Sequence, residues 1–368
     1  MKNTFGNNVS ITLFGESHGA AVGAVLDGIA PGIEVDEEFL RYQLSLRRPT
    51  GAISTPRVET DEFSILSGVF EGKTTGTPIC IVIENKNTKS KDYGEIISKA
   101  RPGHADYTAF CKYAGFEDYR GGGHFSGRIT AALVAAGAIA ISALKAKGIK
   151  IGTHISKCAG VSDAEFCDIE KEIEALSKKE FAVIDDTAAD KMKAAILDAV
   201  TQKDSVGGVL ETAVTGIDAG VGEPWFDTIE GMLSHALFSI PAVKGVEFGA
   251  GFKFADMTGS TANDPFVCEN GKITTKTNNN GGINGGITNG MPIVFRVAVK
   301  PTPTISKPQE TVDFKTGENV VISSGGRHDP CIVHRARVVV DSITAIAICD
   351  MLSTRFGTDY LTKIQENV

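Results

Sequence analysis

The residues of this chain that suit proton transfer and anion capture fall in a few short, glycine-rich segments. The first is Gly15-Glu16-Ser17-His18-Gly19. A histidine in a tight turn can protonate a leaving oxygen, because its pKa lies near working pH. A turn histidine bonded only to backbone fits the same spacing. The second is Arg101-Pro102-Gly103-His104-Ala105-Asp106, where Pro-Gly forces a turn into a helix. Asp106 is the expected N-cap. His104 then stands just outside a helix N-terminus, a place that suits an anion or a partly reduced aromatic cofactor. The third, Arg327-His328-Asp329-Pro330, sets three ionisable side chains before a proline. Asp329 held between cations there suits a base.

Arginine is scarce and unevenly placed. Nine of the 12 arginines fall in four segments: Arg47, Arg48 and Arg57; Arg101; Arg120 and Arg128; and Arg327, Arg335 and Arg337. The guanidinium is the group for bidentate capture of carboxylate and phosphate. Arginines gathered in loops of an otherwise acidic chain imply a pocket for a small polyanion. The alternative for each one alone is a helix cap or a local acid. The net charge of -8 argues against a general nucleic-acid or anionic-membrane binder, which needs a basic face.

The glycine loop Arg120-Gly121-Gly122-Gly123-His124-Phe125-Ser126-Gly127-Arg128 runs into an apolar helix, whose backbone N–H groups favour a phosphate. No Gly-Lys-Ser/Thr follows it and it does not spell a dinucleotide fingerprint. Residues 277–290, rich in Asn and Gly, read by themselves as a mobile loop. Lys300-Pro301-Thr302-Pro303-Thr304 reads as a rigid proline turn ending a strand. The His and Asp inventory permits a metal site, but no HExxH or Cys-rich spacing supports one, so none is assigned. The seven cysteines show no CxxC and read as reduced thiols, mostly small core residues, in a cytoplasmic protein.

These segments need a scaffold. With 42% hydrophobic and 22% charged residues the chain is an ordinary globular protein. No linker splits it, so residues 1–368 read as one domain. Strands are expected at residues 9–14, 63–70, 78–84, 207–215, 243–254 and 293–300. Helices are expected at 36–46 with Asp36 as N-cap, and at 126–147, 188–203, 227–239 and 333–356. The N-terminus lacks a signal peptide's apolar run, and the apolar stretch 129–144 is too short to span a bilayer, so it reads as a buried helix. Gly76-Thr77-Pro78-Ile79 and Gly290-Met291-Pro292-Ile293 each open a strand. Each strand follows a helix and a strand and precedes an Arg/His/Asp loop and a long apolar helix. That repetition predicts two pseudo-equivalent halves, each an antiparallel sheet against central helices.

Taken in order, GESHG, RPGHADYT, RGGGxxSGR, GGINGGI, KPTPTI and GRHDPC resemble the signatures of the chorismate synthase family over essentially the whole chain. The resemblance implies an anti-1,4-elimination of phosphate from 5-enolpyruvylshikimate 3-phosphate, giving chorismate with reduced FMN and no net redox change. It implies an α+β fold, a β-α-β sandwich with helices between two antiparallel sheets, assembled as a homotetramer. By position, His18 resembles the acid at the leaving phosphate, His104 the histidine near flavin N1, and Asp329 the carboxylate near flavin N5. Ser17, Arg47, Arg48, Arg101, Ser126, Arg128 and Arg327 resemble the substrate contacts. His124, Phe125, Ser126, Ala242, Gly285, Lys300, Pro301, Thr302, Pro303, Thr304 and Arg327 resemble the flavin contacts. No reductase segment is recognisable, so an external reductant is expected. The chain departs from the family pattern at His124-Phe125, where many members carry Arg-Ser or Arg-Ala. It departs also at Ile53, where many carry an Arg tied to NADPH contact, and at Pro241, which replaces an Asn. Two other readings stay open on the residues alone. One is a metal-assisted phosphoesterase using His18, His104, Asp106 and Asp329, which a chelator would stop. The other is a flavin-binding regulatory protein, which would form no product.

Overall fold

The computed structural model describes residues 2–49, 51–55, 60–86, 97–323 and 329–362. Ten strands build two antiparallel sheets. The first contains β1 (Thr4–Phe5), β2 (Ser10–Gly15), β3 (Ala21–Asp27), β4 (Phe63–Ser67) and β5 (Ile79–Glu84) in the order β1-β2-β3-β5-β4. The second contains β6 (Lys150–Cys158), β7 (Val161–Ser162), β8 (Gly208–Thr215), β9 (Val243–Phe248) and β10 (Ile293–Val299) in the order β9-β10-β8-β6-β7. A separate hairpin pairs β11 (Gln309–Asp313) with β12 (Glu318–Ile322). The helices are α1 (Glu37–Arg47), α2 (Asp106–Tyr113), α3 (Thr130–Ala146), α4 (Ile169–Leu176), α5 (Asp186–Thr201), α6 (Ile229–Leu237) and α7 (Val333–Phe356).

The expected sandwich is present. Helix α3 packs on β3 and β5, α7 packs on β6 and β8, and α3 and α7 pack on each other. Period-2 patterning turns the strands inward: Ile79, Ile81 and Ile83 of β5 and Ile293, Phe295 and Val297 of β10 are all sealed from solvent. Two-sided burial explains why α3 is apolar nearly all round; α7 is buried over most of its length but also carries polar groups, such as Asp341 and Asp350, that are hydrogen-bonded within the fold. Residues Gly127–Ala146 are long and apolar enough to cross a membrane, but 78% of that window is buried inside the fold.

The duplicated order holds. The first half lays its strands as β2-β3-β5-β4 and the second as β6-β8-β10-β9, with α1 and α6 at matching places. Ile79 pairs with Leu26 and Ile293 with Val214, so both GxPI segments open the second central strand of their sheet. The second half inserts β7, α4 and α5.

Local chemistry explains where the elements start and stop. Asp36 caps α1 by accepting from the backbone of Glu38 and Phe39. Three expectations need correction. The strand expected over 63–70 ends at Ser67, because Gly68 takes a left-handed conformation and Val69–Phe70 pairs elsewhere. The strand expected over 243–254 ends at Phe248 and gives way to a 3-10 turn at Gly251–Asp256. Cysteines are not mainly core: Cys158, Cys331 and Cys349 are buried, whereas Cys111, Cys167 and Cys268 are exposed.

The central helices meet closely at Gly137. A Cβ there would lie 2.2 Å from the Ser342 Cβ and 2.6 Å from its Cα. Gly137→Ala gains about 1 kcal/mol of helix propensity but must push backbone apart, an overpacking cost of about 1–3 kcal/mol. The expected outcome is a lower denaturation midpoint. An unchanged or higher one would show that α3 and α7 part freely.

Candidate functional site

Strand β2 ends at Gly15 and β3 begins at Ala21, so Ser17 and His18 sit on the turn between them. The Ser17 hydroxyl lies 3.1 Å from the carbonyls of Arg120 and Gly121 and 3.0 Å from His18 Nδ1. Carbonyls only accept, so the hydroxyl donates to them and accepts from Nδ1–H. This pairing is that of the tautomer with its proton on Nδ1. Gly121 has φ +59°, and a Cβ on it would lie 2.2 Å from His18 Cε1, so only glycine lets the two loops meet. His124 Nδ1 lies 2.8 Å from the Gly15 carbonyl. The glycine loop is therefore moulded around the His18 turn. Ser126 accepts from the Arg128 N–H at 3.2 Å and caps the 3-10 turn before α3. Phe125 is half-exposed beside Tyr113, and Arg120 is held by Asp118 at 2.8 Å. GESHG also spells Gly-x-Ser-x-Gly, but it joins two antiparallel strands rather than a strand and a helix, and Ser17 is spent on carbonyls.

Next to this turn three of the expected arginines converge on a residue the sequence did not single out. The Asp61 carboxylate has no solvent exposure and pairs with Arg128, with Arg47 at 3.4 Å and with Arg48 at 4.0 Å. Arg47 is buried and also donates to Thr130 Oγ1 at 2.9 Å and the Gly127 carbonyl at 3.2 Å. Arg48 is the most exposed of the three, at 35%. Arg128 Nε donates to Asn85 Oδ1 at 3.0 Å, and Asn85 Nδ2 donates to the carbonyls of Glu16 and Gly19. Asn85 thus ties the arginines to the His18 turn. On the other side, Arg335 donates to the Arg47 carbonyl and to Asp329, each at 2.8 Å, while the Thr55 N–H donates to the second Asp329 oxygen at 2.9 Å. His18, Arg128, Arg48, Arg47 and Asp329 are joined through one network of hydrogen bonds and ion pairs.

A second cluster holds the other two expected segments. Asp106 is not a side-chain cap; Ala105 occupies the N-cap position, and Asp106 binds Arg101 through both oxygens at 2.7 Å. A neighbouring guanidinium outcompetes backbone N–H groups for the carboxylate. His104 Nδ1 donates to the Pro102 carbonyl at 3.2 Å, and Nε2 accepts from Thr304 at 2.9 Å. Lys300 donates to the Gly103 carbonyl at 2.6 Å, and its backbone N–H donates to Ala242 at 3.0 Å. Ser205 and Val206 bridge the clusters, one bonding Thr302 and the other Pro330.

Gly285 lies elsewhere, on a hairpin whose Gly286 carbonyl accepts from Ile229 at the start of α6. The neighbouring Asn-rich loop is built rather than loose, since Asp264 accepts from Thr277, Asn279 and Asn280. Arg57 and Arg327 lie outside the described residues. Asp61 and Asn85 were missed because each is one ordinary polar residue beside a strand, and only the fold shows what it touches. The ligand set of the phosphoesterase reading is not assembled: Asp106 is committed to Arg101 and Asp329 to Arg335.

The fold is an α+β sandwich that sets an arginine cluster at the starts of its central helices beside a turn histidine. The family model described as chorismate synthase matches residues 9–353. Chorismate synthases of Pyrococcus abyssi and Thermococcus kodakarensis are 49% and 47% identical over 350 residues, covering 95% of this chain and 97% of theirs. That of Lachnoclostridium phytofermentans is 47% identical over 367 residues, covering 99% of each. A crystal structure of chorismate synthase superposes with a TM-score of 0.76 at 31% identity, covering 97% of this chain and 95% of that one. The chain belongs to the chorismate synthase family, lyases that carry out the chorismate-forming step of aromatic amino-acid biosynthesis.

Burial first, then the Arg101 guanidinium, push His104 from its ordinary 6.5 down to about 4. The unfolded chain therefore binds the extra proton between these values, and stability falls as pH drops through that window, by up to about 3 kcal/mol. His104→Gln has no such titration. Urea midpoints from pH 7 to pH 4 should fall more steeply for the wild type, and parallel curves would contradict the assignment.

Proposed function

We propose that this chain eliminates phosphate from 5-enolpyruvylshikimate 3-phosphate in the anti-1,4 sense, with reduced FMN as cofactor and no net redox change. The observation that carries this reading is the continuous network joining His18, the arginines around Asp61, and Asp329. An elimination needs an acid at the leaving group, a clamp on the anion and a base at the departing hydrogen.

His18, in its doubly protonated form with Nδ1–H held by Ser17, delivers the Nε2 proton to the leaving phosphate. Arg48 and Arg128 hold the substrate's anionic groups, with Arg47 behind them, and Arg101 serves from the second cluster with Asp106 fixing its plane. Asp329, steadied by Arg335 and Thr55, takes the departing hydrogen as a proton. Ser126 holds the start of α3, and Arg327 is the further anion contact that the family pattern implies.

Lys300, Pro301, Thr302, Pro303, Thr304 and Ala242 form the platform that would hold the flavin, and His124 and Phe125 approach from the glycine loop. The fit is supported by Thr302, whose buried Oγ1 has no hydrogen-bond partner among the described residues, and by His104, which is neutral at pH 7 and accepts through Nε2. When bound, reduced FMN supplies an electron that returns at the end of the cycle. Gly285 would join this platform from a separate hairpin. The flavin is reduced by an external donor, since Ile53 stands where an NADPH contact is expected. Exposed Trp225, Phe226 and Phe252 support association of copies into a homotetramer. The whole chain is read as a single domain working in the cytoplasm.

An anaerobic assay with chemically reduced FMN tests this directly. Chorismate should form with chelator present and should not form without reduced flavin. Asp329→Asn should lower kcat by about a hundredfold or more while KM stays within about threefold. A normal kcat in that variant would remove Asp329 from proton transfer.

A further inference from the structure

Among the described residues, Asp61 is the carboxylate on which Arg47, Arg48 and Arg128 all converge, and its side chain has no solvent exposure. Three guanidiniums this close repel one another unless an anion sits among them, and the repulsion grows where water is excluded. The backbone at Asp61 has φ +48°, a left-handed conformation that Asp and Asn tolerate better than most residues. That conformation follows Thr60, whose carbonyl accepts from Arg48. The Thr60 carbonyl and the Asp61 carboxylate are therefore both turned toward the arginines.

The three arginines play unequal parts around it. Arg47 is the inner member, 6% exposed at its side chain and tied to the start of α3. Arg128 is fixed on a second side by Asn85. Arg48 is the outermost, and its buried Nε has no hydrogen-bond partner among the described residues, only the Asp61 charge at 4.0 Å.

We propose that Asp61 is a positioning residue: it gathers Arg47, Arg48 and Arg128 at the spacing a phosphate-bearing substrate needs, and it touches no substrate itself. The role rests on the elimination proposed above. Its effect lies in binding, through the arginines, and not in proton transfer.

Asp61→Asn keeps shape and backbone preference and removes the charge. With reduced FMN and the enolpyruvyl substrate, its KM should rise about tenfold or more while kcat changes less than about threefold. Inorganic phosphate should raise the wild type's melting temperature and raise that of Asp61→Asn much less. This second readout needs no turnover. If the wild type forms no chorismate, the elimination reading fails, while the phosphate shift still judges Asp61. A wild-type KM, or an equal phosphate shift in both proteins, overturns the proposal, and so does a drop in kcat alone. Should Asp61→Asn fail to fold, Asp61→Glu keeps the charge and displaces it by one methylene. A raised KM with a weakened phosphate shift in that variant supports positioning, and wild-type values overturn it.

Discussion

The close contact of α3 with α7 at Gly137 and Ser342 is the constraint from which the site follows. It sets two long apolar helices side by side between the sheets and brings their N-termini to the same end. Arg47 reports this directly. Its side chain bonds Gly127 and Thr130 at the start of α3, and its carbonyl accepts from Arg335 in the first turn of α7. Two helix starts add positive potential to that corner, which favours an anion before any arginine is counted. Helix α1 ends at the same point, so its last-turn arginine also lies where a cation suits the dipole.

Charge is handled differently on the two sides of the molecule. On the outer face of the second sheet, Asp163, His154, Glu211, Arg296 and Glu247 form a ladder across neighbouring strands, with pairs at 2.6–3.0 Å. The register puts Glu211 opposite both His154 and Arg296, and Arg296 opposite Glu247. Burial opposes charging of His154, but its bonds to Asp163 and Glu211 outweigh burial and raise its pKa. Signs alternate there, so the ladder is internally satisfied and holds strands together. Around Asp61, among the described residues, three arginines share one carboxylate.

Much of this was legible from the chain alone. Long apolar periodicity located α3 and α7, the GxPI segments exposed the duplication, and scarce arginine in glycine-bearing loops picked out three of the residues that gather at Asp61. What escaped were pairings between residues far apart in sequence. Asp61 stands among other acids, Asn85 is a lone amide after a strand, and His154 and Glu211 meet only because β6 and β8 pair in one register. Asp106 was misread for the same reason in reverse: a capping position is a local prediction, and a guanidinium five residues upstream overrode it. Short-range chemistry sets helix ends and turns, whereas the fold decides which polar groups become partners.

The duplication also explains why the site sits where it does. In each half the second central strand leads into a long loop and then into a central helix. The loop after β5 carries Asn85, His104 and the glycine segment; the loop after β10 carries Lys300, Thr304 and Asp329. These equivalent loops pack on each other. His104 meets Thr304, Gly103 meets Lys300, and Ala100 adds to β11 through its bond to Val312. A scaffold with two like halves supplies two connections of matching origin at one end of the helix layer. Because neither loop belongs to either five-stranded sheet, each is free to carry different chemistry without disturbing β5 or β10. One half contributes the turn histidine, Arg128 and the glycine collar, and the other contributes the carboxylate and the proline platform. The site is thus a property of the junction, and neither half holds a complete set of groups by itself.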